Sequence, residues 1–345
     1  MSTGIVLRTR TDAVSLKVSS RTSAVTVVVV ALTLVTSALA LTIGDFRVPL
    51  GEVLQTLVGQ GSQVNDYVVL GIRLPRLLTG LLVGAALAAG GAVFQSLTRN
   101  PLGSPDVVGA TQGAATGALL VILVFGGGVV EVAIGSMVGA MAIALLVIVM
   151  CGRALHGYRI VLVGIGVSAT LLAVNNFLLS RANLETAQVA QAWLVGSLNV
   201  RGWQYAAPLA VALAVLLVPV LAMIGWLRML ELGDDTAAAL GVPVVRARLG
   251  LLLLGAALAG VAVAAAGPVI FVALAAPQIA RKLSRSDQPV VLLSALTGAL
   301  LLAAGDLAAQ RLFAPTQLPV GIATGTLGGF YLAWLLAAQW RSDRG

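Results

Sequence analysis

Long apolar runs separated by short polar connections dominate the sequence, beginning with the run from Ala24 to Ile43. A helix of about 20 apolar residues can span a bilayer, and a helix satisfies its own backbone hydrogen bonds in lipid. The runs are continuous rather than alternating, so the pattern indicates helices and not a β-barrel. The fold class predicted is therefore all-α and polytopic, with about ten spans. They lie near residues 24–43, 77–97, 107–126, 130–150, 160–180, 206–226, 248–266, 269–283, 290–310 and 319–339.

Two shorter patterns add elements that do not span. Residues 53–59 are too few to cross a membrane and indicate an interfacial piece, and the region 183–205 is compatible with an extra surface helix. The first apolar run is too long for the core of a cleaved signal peptide. We expect one transmembrane domain at 24–340 with a coupling loop at 227–247, flanked by cytoplasmic tails at 1–23 and 341–345.

Charge predicts the orientation. Only 10% of residues are charged and 59% are hydrophobic, whereas soluble domains carry about a quarter charged residues. With both termini cytoplasmic, most of the 21 basic residues fall in inside loops, as the positive-inside rule requires. The net charge of +8 then reflects membrane topology rather than nucleic-acid binding. The exceptions on the outside are Arg47, Arg73, Arg76, Arg181, Arg201 and Arg311.

A sequence echo suggests an internal repeat. The five-residue sequence GAALA occurs at 84–88 and again at 255–259, and each copy follows a short basic segment, at 73–76 or 246–249. The predicted orientation sends the two spans in opposite directions, which suggests an inverted repeat of spans 2–5 and 7–10. Chance recurrence in Ala/Gly-rich helices is the alternative.

The connection after the sixth span is the longest polar segment expected inside. Asp234 and Asp235 precede Thr236, and the pattern ends at Gly241, as in a short capped helix terminated by glycine. This segment is either a docking helix for a cytoplasmic partner or a solvated turn. In the stretch 99–106, two prolines exclude a continuous helix, and Asp106 is a candidate cap for the third span; that stretch is either an inner constriction or an ordinary turn.

Four charged residues near the predicted outer face are candidates for function. Arg73, Arg76 and Arg311 suit bidentate pairing with carboxylates of a partner, or they snorkel to lipid headgroups. Asp306 lies inside a span, where a carboxylate costs about 2.5–3.5 kcal/mol. It is either a proton-relay group, as in a secondary transporter, or a structural hydrogen-bond acceptor; we favour the structural role.

The sequence lacks the residues that several kinds of chemistry require. No GxxxxGK[ST] phosphate loop is present in the sequence, so any source of energy must be another chain or an ion gradient. Cys151 and His156 are the only residues of their types, too few for a disulfide or a zinc site. No paired carboxylates or nucleophile motif indicates an enzyme.

Four blocks of sequence resemble the iron-siderophore and cobalamin permease family of ABC importers, in the family's order and spacing. The similarity covers about residues 24–340, and the sequences at 103–109, 181–187 and 232–242 are most similar to ferric-enterobactin permease subunits. One position departs: Gln278 stands where the family commonly has histidine. The blocks are 73–115, 230–242, 266–281 and 318–332.

The resemblance implies a subunit of ten spans that pairs with a second permease subunit, often a paralogue in a heterodimer. Two ATPase subunits, which hold ATP and Mg²⁺, bind at the loop matching 230–242, and an extracytoplasmic siderophore-binding protein docks on the other side. This chain itself is expected to bind no cofactor and no metal. Docking arginines match Arg73, Arg76 and Arg311, and the cytoplasmic gate matches Asn100 and Leu102. The coupling residues are Glu231, Gly233, Asp234, Asp235, Thr236, Leu240 and Gly241.

The predicted function is transport of a ferric siderophore across the bacterial plasma membrane, driven by ATP hydrolysis in separate subunits. Cobalamin or haem is the alternative cargo within the family. A proton-coupled secondary transporter that uses Asp306, and a membrane scaffold that transports nothing, are the alternatives outside it.

Overall fold

The computed structural model describes residues 4–8, 15–152, 157–286, 288–312, 317–326 and 328–330. The tail at 341–345 and the end of the predicted tenth span lie outside these residues. The amino-terminal segment forms an antiparallel hairpin of β1 (Gly4–Arg8) and β2 (Ser15–Ser19), pairing Gly4 with Ser19. This hairpin was not predicted from the sequence, although Leu16 and Val18 alternate with polar residues as in a strand.

Helices make up nearly all the rest, which confirms the all-α class. The first half contains α1 (Ser20–Thr42), α2 (Leu50–Leu57), α3 (Gln63–Asn65), a π-helical stretch (Asp66–Arg73), α4 (Leu74–Thr98), α5 (Ala110–Leu120), a second π-helical stretch (Val121–Phe125), α6 (Val129–Cys151) and α7 (Gly157–Arg181). The second half contains α8 (Leu184–Leu194), α9 (Trp203–Ala222), α10 (Ile224–Glu231), α11 (Asp234–Ala239), α12 (Val244–Ala266), α13 (Val272–Ser284) and α14 (Val291–Arg311). Residues 320–326 and 328–330 are also helical.

Seven helices of the described residues are long and apolar enough to cross a membrane, and two shorter apolar helices accompany them. They coincide with predicted spans, and α13 coincides with the shortest of these. Short helices are present at both places, as α2 and α8, and the interfacial location of the first stays a prediction. The total of ten spans and the inverted repeat remain predictions. The helix contacts agree with such a repeat, since α4 packs against α13 and α14, and α12 packs against α5 and α6.

The core lies around α4, α12 and α14, and small residues allow their close packing. Gly84 of α4 faces Gly298 of α14 so closely that a Cβ on either would overlap the other's carbonyl oxygen. Gly91 abuts the carbonyl of Ala273 in α13 in the same way. Such contacts replace the hydrophobic driving force that is weak between helices in lipid. In contrast, α1, α7 and α9 expose most of their apolar side chains, as expected for surfaces that face lipid or another subunit.

The connection between α4 and α5 corrects one prediction. Asp106 does not cap the following helix: α5 begins at Ala110 with Gly109 as its N-cap residue. The Asp106 carboxylate instead accepts a hydrogen bond from the Thr111 hydroxyl. Desolvation by burial raises the pKa of Asp106, and the Thr111 hydrogen bond offsets this increase only in part. The Asp106 side chain therefore pairs with the Thr111 hydroxyl and does not cap the helix terminus.

Candidate functional site

The candidate residues occupy opposite ends of the bundle, because α4 separates them. Arg73 and Arg76 lie at its beginning and Arg99 follows its last residue. At a rise of 1.5 Å per residue, a helix of 25 residues is about 37 Å long.

Arg76 is held in a buried ion pair with Asp306. Its Nε and Nη2 atoms each donate to one carboxylate oxygen at 2.9 Å, and the side chains are only 14% and 8% exposed. Nη1 donates to Gln317 at 3.2 Å, and Gln310 donates to Asp306 at 2.7 Å. The carboxylate thus receives three hydrogen bonds, which is the structural role favoured for Asp306, and Arg76 is occupied rather than exposed.

Arg73 and Arg311 both hold the segment that follows α1. Arg73 donates to the carbonyls of Leu41, at 2.6 Å, and Phe46. Arg311 donates to the carbonyl of Ile43 at 3.2 Å and to the Asp45 carboxylate at 3.3 Å. A cleft of about 20 Å³ is lined by both Arg73 and Arg76. The structure therefore brings the three predicted arginines to one end of the bundle.

At the opposite end, the predicted coupling loop folds into α10 and α11. The short helix α11 begins after Gly233 and its chain turns at Gly241, as the sequence predicted. The predicted side-chain cap is wrong, because no side chain caps the beginning of α11 and Asp234 and Asp235 occupy its first turn. Leu240 is 57% exposed, and Asp235 and Thr236 are exposed as well. The segment therefore presents a mixed polar and apolar face outward.

Three arginines anchor the inner side of this segment. Asp234 Oδ1 lies 2.6 Å from Arg248 Nη2 and 3.2 Å from Arg99 Nη2. Glu231 Oε1 lies 2.6 Å from Arg281 Nη2. The sequence patterns did not single out these arginines, although each is a basic residue in a connection or helix end that carries a predicted functional motif.

The predicted gate lies next to these ion pairs. Asn100 Oδ1 accepts a hydrogen bond from the Leu102 backbone amide at 2.9 Å, and Leu102 is 46% exposed. Gln278, the residue that replaces the family's common histidine, donates to the Pro101 carbonyl at 2.7 Å. An amide side chain can therefore hold the gate loop, residues 99–103, to α13 without a histidine.

Helix α7 carries polar residues on two sides. Asn175 is buried and accepts from the Thr116 hydroxyl of α5 at 2.8 Å, whereas Asn176, Thr170 and Ser180 are exposed. Among the described residues, no group of three or more His, Cys, Asp or Glu side chains is placed to hold a metal ion.

Comparison with known proteins decides the family. The model of the FecCD transport family matches residues 32–338. The chain belongs to the FecCD transport family. It is 45% identical over 299 residues to the ferric enterobactin transport system permease protein FepG of Escherichia coli, covering 86% of this chain and 91% of that protein. It is 36% identical over 305 residues to the achromobactin transport system permease protein CbrC of Dickeya dadantii, covering 87% of each.

A solved structure supports the same assignment. The chain superimposes on a metal-chelate type ABC transporter in an inward-facing conformation with a TM-score of 0.83 and 27% identity, covering 92% of this chain and 99% of that one. The resemblance inferred from sequence is confirmed. Members of the FecCD family are membrane permease subunits of ABC importers, so this chain is a multi-pass transport subunit and not an enzyme, and ATP is hydrolysed in separate subunits.

Proposed function

We propose that this FecCD-family chain carries a ferric siderophore across the bacterial plasma membrane. The observation that supports the cargo most strongly is the 45% identity to a permease named for ferric enterobactin. The partners are a second permease subunit, most simply a paralogue, two ATPase subunits and an extracytoplasmic siderophore-binding protein. The chelate passes unchanged, so the chain needs no protein ligands to iron.

The exposed face of α7 is our candidate for the surface that meets the second permease and lines the path. Asn176, Thr170 and Ser180 point outward there among apolar neighbours. A polar side chain exposed to lipid is unfavourable and usually faces a protein interior or a water-filled cavity. A bulky, polar chelate would also require a path lined by small and polar residues.

The face of α11 is the proposed contact with an ATPase subunit. Leu232, Leu240 and Val245 are each more than half exposed around it, and Asp235 and Thr236 supply polar contacts. Interfaces commonly combine such apolar and polar groups. Residues Glu231, Gly233, Asp234 and Gly241 shape this segment, and ATP and Mg²⁺ are held by the partner.

Gly241→Trp should reduce co-purification of the ATPase subunits severely. Gly241 has φ +85°, which side chains rarely adopt, and nothing within 4 Å of an added Cβ. Gly59→Trp is the matched control, since Gly59 has φ +78° and equally open surroundings but follows α2. Normal co-purification of the Gly241 variant would exclude this contact.

For the binding protein, we assign direct docking to Arg73 and Arg311, with Arg76 contributing only where a partner carboxylate displaces Asp306. Arg311 is 29% exposed and its carboxylate partner Asp45 is 86% exposed, so the pair can open at little cost. Arg311→Glu should abolish stimulation of ATP hydrolysis by the binding protein while the ATPase subunits stay bound. Unchanged stimulation would refute the assignment.

The cargo can be tested in cells that lack the native permease. Cells complemented with this chain and its partners should accumulate radiolabelled ferric enterobactin, and an excess of haemin or cobalamin should not compete. Competition by either compound would indicate that this compound, and not a siderophore, is the cargo. A proton-coupled mechanism is less well supported, because both Asp306 oxygens are engaged by Arg76 and Gln310.

A further inference from the structure

A set of ion pairs joins the segment around α11 to the last turn of α4. One oxygen of Asp234 contacts both Arg248 of α12 and Arg99, the residue directly after α4. One oxygen of Glu231 contacts Arg281 of α13. Two carboxylates on the proposed ATPase-binding segment therefore hold three helices.

The same arginines also reach α4 directly. Arg248 Nη1 donates to the Leu97 carbonyl at 3.3 Å, and Arg281 Nη2 donates to the Ser96 hydroxyl at 2.7 Å. Arg99 directly precedes Asn100 in the gate loop. The last turn of α4 is thus contacted by arginines that are themselves ion-paired with Asp234 and Glu231.

A second connection leads from α13 to the gate. Gln278 lies one turn before Arg281 on α13 and donates to the Pro101 carbonyl at 2.7 Å. A displacement of Glu231 would therefore reach the loop 99–103 through two routes, one along α4 and one along α13.

Partial burial makes these ion pairs costly to separate. In the Arg248–Asp234 pair the side chains are 2% and 28% exposed, and in the Arg281–Glu231 pair they are 30% and 17% exposed, so separating either pair would remove a counter-charge in a poorly solvated place. The Arg99 pair is more exposed, at 41% and 28%, and contributes less. Moving the ion-paired groups together costs less than breaking these partly buried pairs.

We propose that Asp234 and Glu231 are positioning residues that transmit the movement of the ATPase-bound α11 segment to the gate loop 99–103, through Arg248, Arg99 and Arg281. This inference rests on the proposed function, since it requires an ATPase bound at α11. It assigns to Asp234 and Glu231 an inward role in transmission, distinct from the outward contact made by Asp235 and Leu240.

The test uses the full complex in proteoliposomes, with radiolabelled ferric enterobactin and the binding protein. Asp234→Asn and Glu231→Gln keep the shape but remove the charge. Both should co-purify with the ATPase subunits and hydrolyse ATP, while the chelate transported per ATP falls at least about fivefold, the lower end of typical coupling effects. Asp234→Glu, which keeps the charge, should restore part of the ratio.

Two comparisons make the result decisive. Asp235→Asn removes the same charge from the outward face, and it should affect co-purification of the ATPase subunits rather than the amount of chelate transported per ATP. Glu185→Gln on α8 should change neither quantity. Arg99→Gln, at the exposed side of the network, tests the proposal even where Asp234→Asn impairs folding. A wild-type ratio in assembled Asp234, Glu231 and Arg99 variants would overturn it. Failure of the unmodified chain to bind an ATPase would instead refute the proposed function.

Discussion

The buried pair between Arg76 and Asp306 leads to the strongest prediction about stability. Asp306→Asn replaces a carboxylate that receives two hydrogen bonds from Arg76, both of 2.9 Å. The guanidinium would keep Gln317 as a partner but would lose its counter-charge while only 14% exposed. The variant should therefore be destabilised, because the remaining charge is poorly solvated.

The expected magnitude follows from the geometry. Removing one member of a buried ion pair costs about 3–5 kcal/mol, and Arg76 is slightly exposed, so we expect about 3 kcal/mol. The Arg311–Asp45 pair is the matched control at the same end of the bundle. Asp45 is 86% exposed and 3.3 Å from Arg311, so Asp45→Asn should cost less than about 1 kcal/mol.

The only cysteine provides the assay. Cys151 is 1% exposed, so a thiol-reactive dye reports the unfolding of detergent-solubilised protein. A double-mutant cycle with Asp306→Asn and Arg76→Gln should give an interaction free energy of about 2 kcal/mol, within the range for residues in direct contact. An additive cycle, or equal losses for Asp306→Asn and Asp45→Asn, would refute the reasoning and leave Arg76 available for docking.

Further predictions concern packing, the path, pH and topology. Gly91→Ala should cost about 1–3 kcal/mol in the same dye assay, since its Cβ would overlap the Ala273 carbonyl, whereas Gly225→Ala, with open surroundings, should not destabilise; equal effects would refute the close packing. Asn176→Leu should reduce chelate uptake without loss of thermal stability, and normal uptake would exclude α7 from the path. Asp106→Asn should become more stabilising relative to the parent as pH rises above the ordinary carboxyl pKa of 3.8. Because the folded-state pKa is raised, the unfolded parent ionises first and the parent loses stability in this pH range. A difference in stability that does not depend on pH would contradict this. Reporters fused to either terminus should be active only on the cytoplasmic side, and activity outside would reverse the orientation.

Local patterns predicted the elements well, because span length and helix termination depend on neighbouring residues. The apolar runs, the short helices α2 and α8, and the turn at Gly241 all followed from residues close in sequence. The Asp106 cap was wrong because the chain between α4 and α5 turns at Gly109 and uses the carboxylate for Thr111 instead.

Long-range pairing could not be read from one sequence. Arg76 and Asp306 are separated by 230 residues, and both were singled out for separate functions rather than as partners. Arg248 and Arg281 were counted as ordinary inside charges, since the positive-inside rule explains them without a partner. Only the packing of α4 against α12, α13 and α14 reveals which carboxylate each arginine meets.

Transport by the reconstituted complex tests the account most directly. Proteoliposomes containing this chain, its partner permease and the ATPase subunits should accumulate ferric enterobactin only with ATP, Mg²⁺ and the binding protein, and a proton gradient alone should drive no uptake. Accumulation driven by the proton gradient without the ATPase subunits would contradict the account.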